Sequence, residues 1–97
     1  MHARVTRTQM APEKVDEAVA WFETSALPQA KSIPGFAGAL ELYDRETGAG
    51  LTITLWDSAE AREASESAAA GIRSEGESAL DFEVVGVERY EVTAYGL

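Results

Sequence analysis

The segment that most limits the fold is Leu51-Thr52-Ile53-Thr54-Leu55-Trp56. Large apolar residues alternate there with threonines and a tryptophan, the period of two that belongs to a β-strand. The next residues, Asp57-Ser58-Ala59-Glu60, have the form of a helix start. Asp57 reads as the N-cap, with a glutamate three positions on. A strand that turns directly into a helix calls for a sheet with helices packed against it.

The rest of the chain supplies the other elements. Residues 3–9 read as a strand, and Pro12 opens a helix, because proline suits the first helical turn. Val15, Ala18, Val19, Phe22 and Ala26 form one helical face running to about residue 30. Pro28 is expected to kink or end that helix by removing an N–H and crowding the turn before it. Ile33-Pro34-Gly35 is a turn, Phe36 to Tyr43 a strand, and Asp44 to Gly48 a hairpin loop. A second helix over 58–73 presents Ala61, Ala64, Ala68 and Ile72, with Gly71, Gly76 and nearby serines marking a frayed end. Phe82 to Tyr95 reads as a last strand, bent or interrupted near Gly86.

Strand, helix, hairpin, helix, strand is the βαββαβ order of a ferredoxin-like α+β domain with a four-stranded antiparallel sheet. The 97 residues make one domain, 1–97. Both helices cover one sheet face. The opposite face is expected to carry Thr52, Thr54, Trp56, Glu41 and Tyr43, with Arg4, Thr6 and Thr8, and to be left open for a second copy. Small domains often need a disulfide, a metal or a partner. With no cysteine and one histidine, His2, a homodimer is the expected solution. No metal site is expected, and the acidic residues Glu60, Glu63 and Glu66 read as a solvated helix face.

Charge narrows the partners. A formal net charge of −9 without a Lys/Arg cluster disfavours nucleic acid. No apolar run reaches the roughly 18 residues of a membrane span, and the N-terminal residues lack a signal-peptide core. A cytoplasmic location is the expectation, consistent with the absence of cysteine.

Three stretches together resemble a known family: Ile33-Pro34-Gly35-Phe36 entering a strand, Asp44-Arg45-Glu46-Thr47-Gly48 at a hairpin, and Leu51 to Ala61 crossing from strand to helix. Their order and spacing are similar to the antibiotic biosynthesis monooxygenase-like domains of the dimeric α/β-barrel superfamily. The resemblance implies a homodimer with facing sheets and a ligand cavity between sheet and helices in each protomer. It also implies cofactor-independent oxidation, with O₂, of a small aromatic or polyketide-like molecule. Such enzymes use an asparagine and a tryptophan. Trp56 matches the tryptophan, and the chain has no asparagine. The second helix has no histidine, which sets the haem-degrading branch aside.

No catalytic residue follows from these motifs. The substrate-binding candidates are Trp56, Trp21, Tyr43, Tyr90 and Arg7. For each there is a plainer role: aromatic anchor, domain edge, interface tyrosine or surface ion pair. Arg4 and Arg7 fall on opposite faces of the first strand, so at most one points inward. His2 reads as a mobile terminal residue. The alternative function is a non-catalytic dimeric module that binds a small apolar or aromatic ligand.

Overall fold

A computed structural model describes residues 1–96. Four strands, β1 (His2–Gln9), β2 (Phe36–Tyr43), β3 (Ala49–Trp56) and β4 (Glu83–Glu91), form one sheet in the order β2-β3-β1-β4. All three pairings are antiparallel, so the fold is the ferredoxin-like α+β arrangement. His2 is not a loose terminus: it begins β1 and pairs with Trp56 and Glu91. The register between β1 and β4 shifts beside Gly86, which bulges Val85 out of the ladder and fits the expected interruption there.

The first crossover ends close to the expected residue 30, and the disturbance expected from Pro28 takes the form of a π-helical turn. A 3₁₀ turn (Pro12–Lys14) leads into α1 (Val15–Trp21), a π-helical turn (Phe22–Ala26) and α2 (Leu27–Lys31). Proline at position 28 has no N–H to give a helix, and its ring crowds the turn before it. The wider turn absorbs both effects: Leu27 N–H bonds the Phe22 carbonyl, and the helix continues. Thr24 caps the disturbed region by donating its hydroxyl to the Ala20 carbonyl, 2.7 Å away. Val15 and Ala18 are almost fully buried against Met10 and Leu80, which places the main apolar core at one end of the layer between helices and sheet.

The second crossover breaks at Ser65, between α3 (Ala59–Ala64) and α4 (Glu66–Leu80). Ser58, not Asp57, is the N-cap, its hydroxyl accepting from Ala61 N–H at 3.0 Å. The inward stripe is Ser65, Ala69, Ile72, Gly76 and Leu80, while Ala64 and Ala68 face solvent. Alanine occurs on every face of this helix, so it gave no contrast between inside and outside. The helix also does not fray at Gly76. A β-carbon there would lie 2.7 Å from the Trp21 ring and 2.9 Å from the Phe82 ring, so glycine is what lets those two rings close over the helix. Asp81, in the left-handed conformation at φ 55°, ends α4.

The largest correction concerns the sheet faces. Arg4, Thr6, Thr8, Glu41, Tyr43, Thr52, Thr54 and Trp56 lie beneath the helices and line the cavity there. The helix-free face carries Leu51, Ile53 and Leu55 of β3, flanked by Leu40 and Leu42 of β2 and by Val5 and Arg7 of β1. The threonine and aromatic face is the inner one, and the aliphatic face is the open one. The small residues of α4 fit this choice: they fill little of the space above the inner face, which remains as a cavity.

Candidate functional site

The cavity beneath the helices has a volume of about 90 Å³. Its floor is the threonine-rich inner face, and its roof comes from α1, the π-helical turn, α2 and α4. The walls are mainly apolar, with Trp21, Phe22, Ile72 and Phe82 contributing most of the bulk. Trp21 and Phe82 meet edge to face with centroids 6.4 Å apart.

Trp56 lies at one end of the floor and is 1% exposed. Phe36 meets its ring edge to face at 5.7 Å. Its indole N–H donates to the Thr54 hydroxyl at 3.0 Å, and the Arg4 guanidinium carbon lies 5.5 Å from the ring centroid. Both the ring face and the N–H are therefore engaged within the protein.

Arg4 is 2% exposed and held by several acceptors. Its Nη2 donates to the Ser65 hydroxyl and to the Arg62 carbonyl, each at 2.7 Å. The same nitrogen lies 3.2 Å from Glu66 Oε1. Arg89 shares that carboxylate at 2.7 Å, so Glu66 is an ion-pair partner rather than part of a solvated face. Desolvation lowers the Arg4 pKa, and Glu66 counters it; an arginine stays charged throughout. The hydrogen bonds of Arg89 and the charge of Arg4 hold Glu66 below the usual carboxylate range. The break at Ser65 exposes the Arg62 carbonyl to Arg4, so the interrupted helix and the buried arginine belong to one arrangement.

Tyr43 reaches the cavity across Gly50, its partner in β3. A β-carbon at Gly50 would collide with the Tyr43 ring, so the glycine provides the ring's seat. Burial, reinforced by the nearby Glu41 carboxylate, pushes the Tyr43 phenol up to about 12. It therefore remains a proton donor across the physiological range. The Thr8 hydroxyl, also on the floor, is buried close to the Tyr43 phenol, whose pKa it tempers, without closing a well-formed hydrogen bond.

Of the sequence candidates, Trp56, Trp21 and Tyr43 line this cavity. Arg7 and Tyr90 do not. Both belong to the opposite face, where Arg7 pairs with Glu88 and the Tyr90 hydroxyl donates to the same carboxylate. Sequence reasoning passed over Glu41 and Arg73, which also line the cavity. Glu41 stands out as an acidic residue in phase with Tyr43 on β2, a signal that acquires meaning once that phase is known to face inward. Among the described residues, no group of three or more His, Cys, Asp or Glu side chains could hold a metal ion, and no helix is long and apolar enough to cross a membrane.

Burial, and secondarily the charge of Glu23, pushes the Glu41 carboxyl up to about 7. An ordinary glutamate titrates near 4.5. The native state therefore holds this proton more tightly than the unfolded state does. Ionised Glu41 accordingly carries a burial penalty against folding that is absent below about pH 4.5, grows as pH rises toward 7 and is full above. The difference caps the effect at about 3 kcal/mol, and solvent screening of this partly exposed group leaves about 1–2 kcal/mol. Glu41→Gln is expected to raise Tm by about 5–10 °C at pH 8 and to leave it nearly unchanged at pH 4. Equal shifts at the two pH values, read by thermal denaturation, would contradict this assignment.

No family model matches the chain. Two uncharacterized proteins of Mycobacterium tuberculosis are 32% identical to it over 60 residues, which is 62% of this chain and 27% of theirs. The chain thus spans about a quarter of the length of the curated relatives it matches. SnoaB, a cofactor-independent oxygenase from Streptomyces nogalater, superposes with a TM-score of 0.70 at 15% identity, covering 97% of this chain and 94% of its own. A monooxygenase from the gene ActVA-Orf6 of Streptomyces coelicolor, solved with the ligand nanaomycin D, gives 0.62 at 22% identity, covering 99% and 88%. The fold is that of the antibiotic biosynthesis monooxygenase-like proteins.

Proposed function

We propose that this chain is a homodimeric, cofactor-independent monooxygenase that oxidises a small electron-rich aromatic or polyketide-like molecule inside each protomer. The observation that carries the reading is the cavity itself: aromatic and aliphatic walls with a few polar groups left unengaged on its floor. That is the composition of a small-molecule site. SnoaB and the ActVA-Orf6 protein, which share the fold, are an oxygenase and a monooxygenase.

Size restricts the substrate. An apolar cavity of about 150 Å³ accepts one benzene ring, and this one measures about 90 Å³. As it stands the interior is smaller than one benzene ring needs, so the roof must move outward before a single substituted ring can enter. A phenol with an open para position and one molecule of O₂ balance to a para-quinone and one molecule of water. One oxygen atom enters the ring and the other leaves as water. The protein's part is to bind the ring between Trp21 and Phe82 on the roof and Tyr43 on the floor, and to orient the phenolic oxygen by the Tyr43 and Thr8 hydroxyls.

The engagement of Trp56 by Thr54 and Arg4 favours a second reading, in which the dimer binds such a ligand without transforming it. Oxygen uptake with a panel of mono- and dihydroxyaromatics separates the two. The expected result is uptake in step with quinone formation, abolished by filling the cavity with Ala69→Phe. Binding without uptake would support the second reading, and neither binding nor uptake would defeat both.

A further inference from the structure

The floor of the cavity has two polar ends. Tyr43 and Thr8 mark one, and Arg4, Thr54 and Trp56 mark the other. Arg4 and Thr54 are direct partners across β1 and β3, about 13 Å along β1 from Thr8. The protein engages this second end incompletely. Arg4 is 2% exposed, and its Nη2 and Nε serve Ser65, the Arg62 carbonyl and Glu66. Its Nη1 has no acceptor among the described residues, yet it is not sealed away as Arg62 Nε is. Arg4 lines the cavity, so Nη1 is the donor it has left to offer there. Thr54 is in a similar position. Its oxygen accepts from the Trp56 indole N–H at 3.0 Å, and its own hydroxyl proton has no acceptor among the described residues.

Charge at this end is unbalanced. Arg4 is attracted by one carboxylate, Glu66, and repelled by two guanidinium groups, Arg73 and Arg89. Arg89 takes a share of Glu66 at 2.7 Å, and Glu63 adds only a weak attraction to Arg89. Arg73 enters the cavity wall from α4 and forms no ion pair among the described residues. A surplus of buried positive charge opposes folding, and an anion relieves it. The carboxylate that faces the cavity, Glu41, lies two strands away on β2 and one residue pair along. Strand spacing and rise separate its backbone from that of Arg4 by about 12 Å.

We propose that this end of the cavity binds the carboxylate of a small aliphatic acid. Arg4 Nη1 and the Thr54 hydroxyl donate to its oxygens, and Arg73 supplies positive charge from the roof. Hydrogen bonds to an ionised acceptor are the strong ones, and the apolar walls take the short tail. Size sets the length of that tail. An apolar cavity of about 150 Å³ holds benzene. In proportion, about 90 Å³ holds a guest of about four non-hydrogen atoms, the size of acetate, with propionate slightly larger. Such an acid needs neither movement of the roof nor any oxidation, so the proposal goes beyond the monooxygenase reading and does not rest on it.

Calorimetric titration at neutral pH and constant ionic strength tests it, with propionate and with propionamide as the uncharged isostere. The wild type is expected to bind propionate with a Kd on the order of 1 mM, and propionamide at least about tenfold more weakly. Arg73→Gln removes a side chain that holds no other residue, so the fold should be untouched. It should weaken propionate about fivefold and leave propionamide unchanged. Thr54→Val should weaken propionate about tenfold, while Thr54→Ser, which keeps the hydroxyl, should not. Ala69→Phe, which fills the cavity, should abolish binding of both. Equal affinity for propionate and propionamide would overturn the anion site. So would unchanged propionate affinity in both Arg73→Gln and Thr54→Val, or binding that survives Ala69→Phe and therefore lies on the surface. Absence of propionate binding up to about 50 mM would overturn it as well. Oxygen uptake with hydroxyaromatics is decided by none of these results, so the monooxygenase reading stands or falls separately.

Discussion

Leu40→Glu is expected to convert the proposed homodimer into a folded monomer. Leu40 is 55% exposed and Leu42 49% exposed in the single protomer, on a sheet face that no helix covers. Leu40 lies opposite Ile53, which in turn lies opposite Val5, so the substitution falls within an aliphatic surface that continues across three strands. Contiguous apolar patches of this kind mark interaction surfaces. In the proposed homodimer a second copy related by two-fold symmetry would cover the patch with its own equivalent, and every substitution would then act twice. Each leucine forfeits about 1 kcal/mol of further burial, and two carboxylates brought into a dry interface cost several kcal/mol more. Together these weaken association by about 1,000-fold or more. Sedimentation equilibrium at micromolar concentration reads the change, and an unaltered far-ultraviolet circular dichroism spectrum shows that the protomer still folds. A wild-type protein that remains monomeric at high concentration would refute the interface.

The element order was legible because each element is written in local chemistry. Leu51 to Trp56 alternates, Val15 to Ala26 recurs with a helical period, and Asp44 accepts the backbone N–H groups of Glu46 and Thr47 in the expected hairpin. The assignment of faces was not legible by the usual rule. Placing the more aliphatic side of β3 inward puts leucines under the helices and threonines outside, whereas the fold does the reverse. That rule assumes one buried face and one wet face. It fails when the outer face is itself suited to a partner and the inner face encloses a cavity. A sign was present in the second helix, whose serine, alanine and glycine stripe could not have filled the space above a leucine-rich sheet. The site was legible in part for the same reason. Trp21, Trp56 and Tyr43 are conspicuous by type, while Glu41 and Arg73 acquire significance through burial and the lack of partners. The contacts of Arg4 could not be read at all, because Ser65 and Glu66 lie some sixty positions away in the chain.

Arg4 is also where the largest loss of protomer stability is expected. Its guanidinium ties the middle of the sheet to the break between α3 and α4 and lies against the Trp56 ring. Arg4→Ala removes the donors to Ser65 and the Arg62 carbonyl, leaves Glu66 to Arg89 alone, and opens a hollow under the indole. Removing one member of a buried charged cluster typically costs about 3–5 kcal/mol. Because Glu66 keeps Arg89, the lower part of that range, about 3–4 kcal/mol, applies here. In a domain of this size that lowers Tm by about 15–25 °C. Arg4→Met separates packing from charge. Methionine has similar volume and can fill the space below Trp56 without a buried cation, so its cost should be no more than about half as large. Arg4→Lys should fall between them, since an ammonium group cannot match the planar fork that reaches several acceptors at once. Tryptophan fluorescence supplies an independent readout: emission should shift to the red in Arg4→Ala, as water reaches Trp56, and stay near the wild-type position in Arg4→Met. If the alanine and methionine variants lose equal stability, hydrogen bonding to the helix break dominates and the packing beneath Trp56 is secondary. If neither loses stability, Arg4 does not hold the two layers together, and the geometry of the cavity floor must depend on the sheet alone.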